Sequence, residues 1–251
     1  MISFHSQTDI GKRRANNEDA IFAADNLFVV CDGMGGHKAG EIASRLAIEE
    51  ISGFVKRAEE DAEITWPFGF DGALSGDANR LRTAIRLANR AIWSKAASAE
   101  AYSGMGTTVV AMIISPTRPM ITYASVGDSR IYLVRSGAIR QLTRDDSWAN
   151  LAWEGEEPDD TAKSSMKHVL TKALGAQDDV DFEVVDQELH EEDLLLLCSD
   201  GLTNMVPDSR ILDIVSTHRA DLEGACHELV SEANAQGGRD NVSVILVRYG
   251  S

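Results

Sequence analysis

Five short stretches of the sequence carry the residue types that could do chemistry. Phe28-Val29-Val30-Cys31 runs into Asp32-Gly33-Met34-Gly35-Gly36-His37, and Leu194-Leu195-Leu196-Leu197-Cys198-Ser199 runs into Asp200-Gly201. Gly127-Asp128-Ser129 follows a mixed apolar stretch, Gly238-Arg239-Asp240-Asn241 precedes one, and Asn17-Glu18-Asp19 stands near the start. A strand holds a carboxylate rigidly at its end. Adjacent glycines let backbone groups approach whatever the carboxylate binds. A single Asp-Gly pair is equally a tight-turn signal, but here the arrangement recurs. If these carboxylates converge, each pair about 4 Å apart repels by roughly 4 kcal/mol at an effective dielectric near 20. Several such pairs exceed the net stability of a typical domain, about 5–15 kcal/mol. A converged set therefore needs cations. Oxygen ligands without His or Cys partners point to magnesium or manganese rather than zinc.

The elements that must position these acids can be read from periodicity. Strands are expected at 2–6, 20–24, 27–31, 107–114, 120–126, 130–134, 180–187, 193–198 and 242–249. Val109 to Ile114 is apolar at every position, the pattern of a strand buried on both faces. Helices are expected from Glu41 to Val55, from an N-cap at Asn79 to about Ala99, from Pro207 to His218 and from Leu222 to Ala235. Residues 56–78 read as an irregular surface connection, with Trp66 and Phe68 packing locally. Arg82, Arg86 and Arg90 form a basic row at four-residue spacing, either a solvated face or a contact for an acidic partner. Residues 145–168 are polar and acidic and read as a flap. Many strands with two helix pairs, and no regular strand–helix alternation, predict an α+β sandwich.

Composition narrows the class. A chain of 251 residues fits one large domain, and 43% hydrophobic content supplies its core. The formal net charge of −16 argues against nucleic acid or an anionic membrane as partner. Phosphorylated substrates stay open if metals reverse the local field. Cys31, Cys198 and Cys226 show no disulfide or zinc spacing and read as core thiols in a reducing compartment, with a reactive thiol as the alternative. The start lacks a signal-peptide pattern and no apolar run is long enough to span a bilayer, so a cytoplasmic location is expected.

Six motifs in order resemble the bacterial members of the metal-dependent protein phosphatases of type 2C (PPM). They are Gly11-x-x-Arg14-x-x-Asn17-Glu18-Asp19, Asp32-Gly33-Met34-Gly35-Gly36-His37, Met105-Gly106-Thr107-Thr108, Gly127-Asp128-Ser129-Arg130, Ser199-Asp200-Gly201-Leu202 and Gly238-x-Asp240-Asn241. The resemblance implies a central β-sandwich of two antiparallel sheets flanked by helix pairs (αββα), with a small flap and a cleft at one end. It implies one catalytic domain over residues 1–251 that hydrolyses phosphoserine and phosphothreonine in proteins with a metal-activated water. Two tight Mn²⁺ or Mg²⁺ ions and a third, weaker one are implied. Asp32 would bridge the two tight ions. Asp200 and Asp240 would complete one of them, and Glu18 and the Gly33 carbonyl would serve the other. Asp19 would orient a water, Arg14 would bind phosphate, and Asp128 would hold the third ion with Asp200. A bacterial Ser/Thr kinase is the implied counterpart.

Two places depart from the family pattern. Where animal members carry a histidine after Asp-Gly, this chain has Met34, so the leaving group would take its proton from His37 or from water. His37 is thus a candidate catalytic residue or a loop residue. Asp145-Asp146-Ser147 stands where relatives commonly read Asp-His-Ser, which leaves the contacts on the flap side open. The alternatives in function are a regulatory module of the same fold with weak turnover, or a hydrolase of small phosphates. Against the first, every expected acid is present. Against the second, no Gly-Lys-Ser/Thr phosphate loop occurs.

Overall fold

The apolar strands pair into two antiparallel sheets in the computed structural model, which describes residues 2–36, 39–61, 63–148 and 169–250. The first sheet contains β1 (Ile2–Asp9), β7 (Arg130–Arg135), β8 (Ala138–Gln141), β10 (Leu194–Cys198) and β11 (Val242–Tyr249), in the order β1-β11-β10-β7-β8. The second contains β2 (Asp19–Ala24), β3 (Leu27–Met34), β5 (Val109–Ile114), β6 (Met120–Val126) and β9 (Val184–Glu188), in the order β2-β3-β5-β6-β9. The two-residue β4 (Gly106–Thr107) pairs with the end of β3. Helices α1 (Ala39–Glu60) and α2 (Gly76–Ser98) pack on the outer face of the second sheet. One helical turn, α3 (Asp200–Thr203), follows β10. Helices α4 (Asp208–Thr217) and α5 (Leu222–Ala235) cover the first sheet. This is the expected α+β sandwich.

Side-chain alternation explains why the strands are apolar on both faces. In β3, Leu27, Val29 and Cys31 face α1 and α2, whereas Phe28 and Val30 face the other sheet. In β10, Leu194, Leu196 and Cys198 face α4 and α5, whereas Leu195 and Leu197 point between the sheets. Each fully buried side chain of this size contributes about 1.5–3 kcal/mol. The three cysteines are free and buried, and burial pushes the Cys198 and Cys226 thiols up to about 12.

The local expectations need several corrections. β3 does not stop at Cys31 but carries Asp32 and Gly33 inside the strand. Helix α1 continues to Glu60, because Lys56, Arg57, Glu59 and Glu60 are helix formers on its solvent side and Ala58 extends its buried face. The cap of α2 is Ser75, not Asn79: the Ser75 hydroxyl accepts from the Ala78 amide at 3.1 Å. Asn79 sits in the first turn and is buried there, donating to the carbonyls of Asp71 and Ser75. The expected strand 107–114 is broken at Thr108, whose amide leaves the ladder to donate to the Asp32 carbonyl. The basic row is occupied by its own surroundings. Arg86 and Arg90 lie over the Phe68 ring, and Arg82 pairs with Asp71. Trp66 packs locally between Phe54 and Phe70, as expected.

Candidate metal centre

The strand period that makes the core also makes the site. Two residues beyond Val30 on the same face of β3 stands Asp32. Directly opposite it on β2 stands Asp19, on the face of Ile21 and Ala23. Two residues beyond Leu197 stands Ser199, and two before Ile245 stands Ser243. At one end of the sandwich the inter-sheet space therefore turns from hydrocarbon to carboxylate and hydroxyl. Asp200 opens α3, Asp240 precedes β11, and Asp128 lies in the turn that passes from β6 in one sheet to β7 in the other. Glu18, Asp19, Asp32, Asp128, Asp200 and Asp240 are all half-buried.

Hydrogen bonds set this geometry. The Ser199 hydroxyl donates to Asp19 Oδ2 at 2.8 Å and accepts from the Ser243 amide at 3.0 Å, which joins the two sheets. Asn241 Oδ1 accepts from the Glu18 amide, and its Nδ2 donates to the carbonyls of Ile10 and Asn16. Asn204 Nδ2 donates to Asp200 Oδ2 at 2.9 Å. The Glu18 carbonyl accepts from the Gly33 amide and the Ser44 hydroxyl. The glycines after Asp32 and Asp200 serve close approach rather than a turn. Neither has positive φ, and a Cβ would overlap the Gly40 carbonyl at Gly33 and the Asn241 carbonyl at Gly201.

The electrostatics follow from crowding like charges in a partly dry cleft. Burial, then Asp19, Asp200, Asp240 and Asp128, push the Asp32 carboxyl well above the usual carboxylate range. Burial lifts Asp19 to about 6, against the hydrogen bonds from Ser243 and Ser199. Burial and the Asp200 charge lift Asp128 to about 7. Burial raises Glu18 as well, opposed by Arg14. Arg14 faces this group from the cleft mouth: its Nη2 lies 2.6 Å from Asp240 Oδ2 while its side chain stays 48% exposed.

The residues fit divalent cations. Asp19 Oδ1 is buried and has no hydrogen-bond partner among the described residues. Among the described residues the facing donors are oxygens, with no imidazole or thiol. The acids are brought to one cleft but spread within it, and among the described residues no three are grouped as ligands of one ion.

Of the nine residues singled out in the sequence, eight border this cleft: Arg14, Glu18, Asp19, Asp32, Gly33, Asp128, Asp200 and Asp240. His37 lies outside the described residues, as do 149–168 of the expected flap. Residues 145–148 and 169–172 are described and meet through the Ser147–Leu170 bridge. Beside them lies a cavity of about 510 Å³ walled by Tyr123, Leu142, Asp145, Asp146, Lys172 and Phe182. Ser199 and Thr108 stand in the quoted motifs but were given no supporting role there, and Ser243, Asn204 and Ser44 were not identified from the sequence. For Ser199, Asn204 and Ser243 the available signal was their type, short hydroxyl and amide side chains within a few residues of the acids.

Comparison with known proteins gives concordant results. The family profile described as Protein phosphatase 2C matches residues 9–237. The serine/threonine phosphatase stp of Listeria welshimeri is 38% identical over 253 residues, covering 96% of this chain and 93% of its own. The crystal structure of the Mycobacterium tuberculosis serine/threonine phosphatase PstP/Ppp superposes with a TM-score of 0.85 at 32% identity, covering 100% of this chain and 99% of that one. A structure of the PstP catalytic domain in complex with 2 manganese ions superposes with a TM-score of 0.82, also at 32% identity, over 100% of this chain and 99% of that one.

Proposed function

Because the chain belongs to the protein phosphatase 2C family, we infer that it is a metal-dependent serine/threonine protein phosphatase acting on phosphorylated proteins. The observation that carries this reading is the joining of Asp19, Asp32, Asp128, Asp200 and Asp240, from both sheets, at one cleft with Arg14 at its mouth.

In this reading Asp32 would serve two ions, with Asp200 and Asp240 completing the ligands of one and Glu18 with the Gly33 carbonyl serving the other. Asp128 with Asp200 would hold a third, weaker ion. Bound divalent ions supply a water deprotonated near neutral pH and offset charge on the phosphoryl group. The chain's own groups do the rest. Asp19, fixed by Ser199 and Ser243, keeps an Oδ1 with no hydrogen-bond partner among the described residues and orients the attacking water. Arg14, half exposed beside Asp240, offers its planar fork to the phosphate oxygens. His37 or a water protonates the leaving alkoxide. Cys31 and Ser199 need no covalent role. The unit comprises the whole chain, with 145–168 as a flap. Its counterpart is a bacterial Ser/Thr kinase, and its place is the cytoplasm. Among the described residues no helix is long and apolar enough to cross a membrane.

The test is a panel of a phosphothreonine peptide, a phosphotyrosine peptide and ATP, each with manganese and with EDTA. Turnover of the first alone, and only with metal, is expected. Full activity in metal-stripped protein would sink the reading, and preference for ATP would favour a small-phosphate hydrolase.

A further inference from the structure

One of the two departures from the family pattern acquires a role in the structure. Asp128 stands in a three-residue turn that crosses from β6 in one sheet to β7 in the other. At such a crossing the backbone loses its ladder partners. Gly127 is buried, so its N–H and C=O must find partners elsewhere. Both are met by a single residue. The Gly127 amide donates to Asp146 Oδ2 at 3.1 Å, and the Asp146 amide donates to the Gly127 carbonyl at 2.8 Å.

Asp146 is itself held. Its carbonyl accepts from the Thr171 amide at 2.8 Å, and its Oδ1 lies 3.8 Å from Lys172 Nζ. Its neighbour Asp145 is gripped by Arg130 through Nε and Nη2 and by Gln141 Nε2. On the far side of the turn, Ser129 Oγ and Thr108 Oγ1 are 2.7 Å apart, and Thr108 Oγ1 accepts from the Asp32 amide. Gly127 itself has φ +103 and leaves no space for a Cβ against Thr108. Asp128 is thus flanked by two locks, and Asp146 is the one that ties it to the root of the flap.

We propose that Asp146 is a positioning residue for Asp128: its carboxylate and amide clamp Gly127, fix the turn, and so set the affinity of the weak ion that Asp128 holds. The inference rests on the reading of Asp128 as a ligand of that ion. What the clamp asks of residue 146 is an acceptor oxygen that reaches one amide, so acceptor geometry matters more than charge. Lys172 pairs with the other oxygen and is dispensable to the clamp.

The experiment uses the full chain and the variants Asp146→Ala, Asp146→Asn, Asp146→Glu, Lys172→Met and Asp128→Ala. Weak and tight Mn²⁺ sites are counted by electron paramagnetic resonance, and amide exchange at Gly127 is followed in metal-free protein. Asp146→Ala is expected to weaken the weak site at least tenfold, to speed Gly127 exchange at least tenfold and to leave the tight ions in place. At limiting manganese its kcat should fall with KM for a phosphopeptide unchanged. Asp146→Asn, which keeps an acceptor of the same shape, should stay within twofold of wild type, as should Lys172→Met. If Asp146→Ala does not fold, Asp146→Glu decides, because it keeps the charge and displaces the acceptor: wild-type binding and exchange in that variant would overturn the proposal. Asn behaving as badly as Ala would overturn it too. If Asp128→Ala leaves the weak ion bound, the reading of Asp128 fails. If that variant loses the ion while Asp146→Ala keeps it, the positioning role of Asp146 fails.

Discussion

The middle of the inter-sheet space and its end are built by the same strands and differ completely in chemistry. In the middle, Phe28 and Val30 of β3 meet Ile131 of β7, Leu195 and Leu197 of β10 and Ile245 of β11. One step further along the same faces the residues are Asp32, Ser199 and Ser243. The middle is closed by dispersion and water exclusion, and the end by hydrogen bonds that cross from sheet to sheet. What differs is the electrostatic sign of burial. In the middle it stabilises, and at the end it raises the free energy of every carboxylate it covers. A functional end of this kind is held in place by the apolar middle behind it.

The contrast can be broken first at the middle. Phe28→Ala removes a fully buried ring that stacks edge-on with Phe4 at 5.2 Å between centroids. It should cost about 3–5 kcal/mol of stability, as large-to-small aromatic core changes do. Urea unfolding of the variant measures this, and a change under about 1 kcal/mol would mean that the strand is not anchored there. Asp32→Asn is the mirror experiment. It should lower kcat by at least about a hundredfold, the scale of losing one preorganised electrostatic group. In metal-free protein near pH 8 it should leave the melting temperature unchanged or raise it, because a like charge is gone. Turnover within a few-fold of wild type would remove Asp32 from the bridging role.

Arg14→Ala sharpens the comparison at the cleft mouth. Loss of a hydrogen bond to a charged group is worth about 1.5–3 kcal/mol, so kcat/KM for a phosphopeptide should fall roughly 10- to 150-fold, mostly through KM, with metal content unchanged. Weaker metal binding with normal KM would instead assign Arg14 to holding Asp240. A further test concerns pH. Asp19 and Asp128 titrate near 6 and 7 in the folded, metal-free protein, against an ordinary value of 3.8. As pH falls from about 8 to about 4, the folded state takes up protons that the unfolded chain does not. Stability in EDTA should therefore rise over that window and level off below it. Denaturation midpoints at pH 8 and pH 5 check this, and a midpoint that falls on acidification would contradict the raised carboxyls.

Much of this was legible in the sequence, for identifiable reasons. Strands 120–126 and 242–249 and helix 222–235 coincide with β6, β11 and α5, because each has an unbroken pattern bounded by turn residues. The acids were visible because carboxylates beside glycines at strand ends are an unusual combination. What could not be read were relations across sheets. Nothing local says that Ser199 bonds Asp19, 180 residues away in sequence, or that Asn241 holds the Glu18 amide. Ser75 and Asn79 are both competent N-caps four residues apart, and only the path of the preceding loop decides between them. The basic row gave no hint of Phe68, since stacking depends on how that loop folds back.

The positions of Cys31 and Cys198 have a consequence for metal choice. Cys31 is adjacent to Asp32, and Cys198 lies two residues before Asp200. Thiolates there would turn an oxygen site into one that captures zinc or copper, which bind sulfur far more tightly than manganese or magnesium do. The pleat prevents this. It points Cys31 into the layer beneath α1 and α2, and Cys198 into the layer beneath α4 and α5, each on the opposite face from the cleft. Burial holds both thiols protonated. The alternation of a β-strand thus acts as a filter between soft and hard ions, and moving either cysteine by one position would open the centre to the wrong metal.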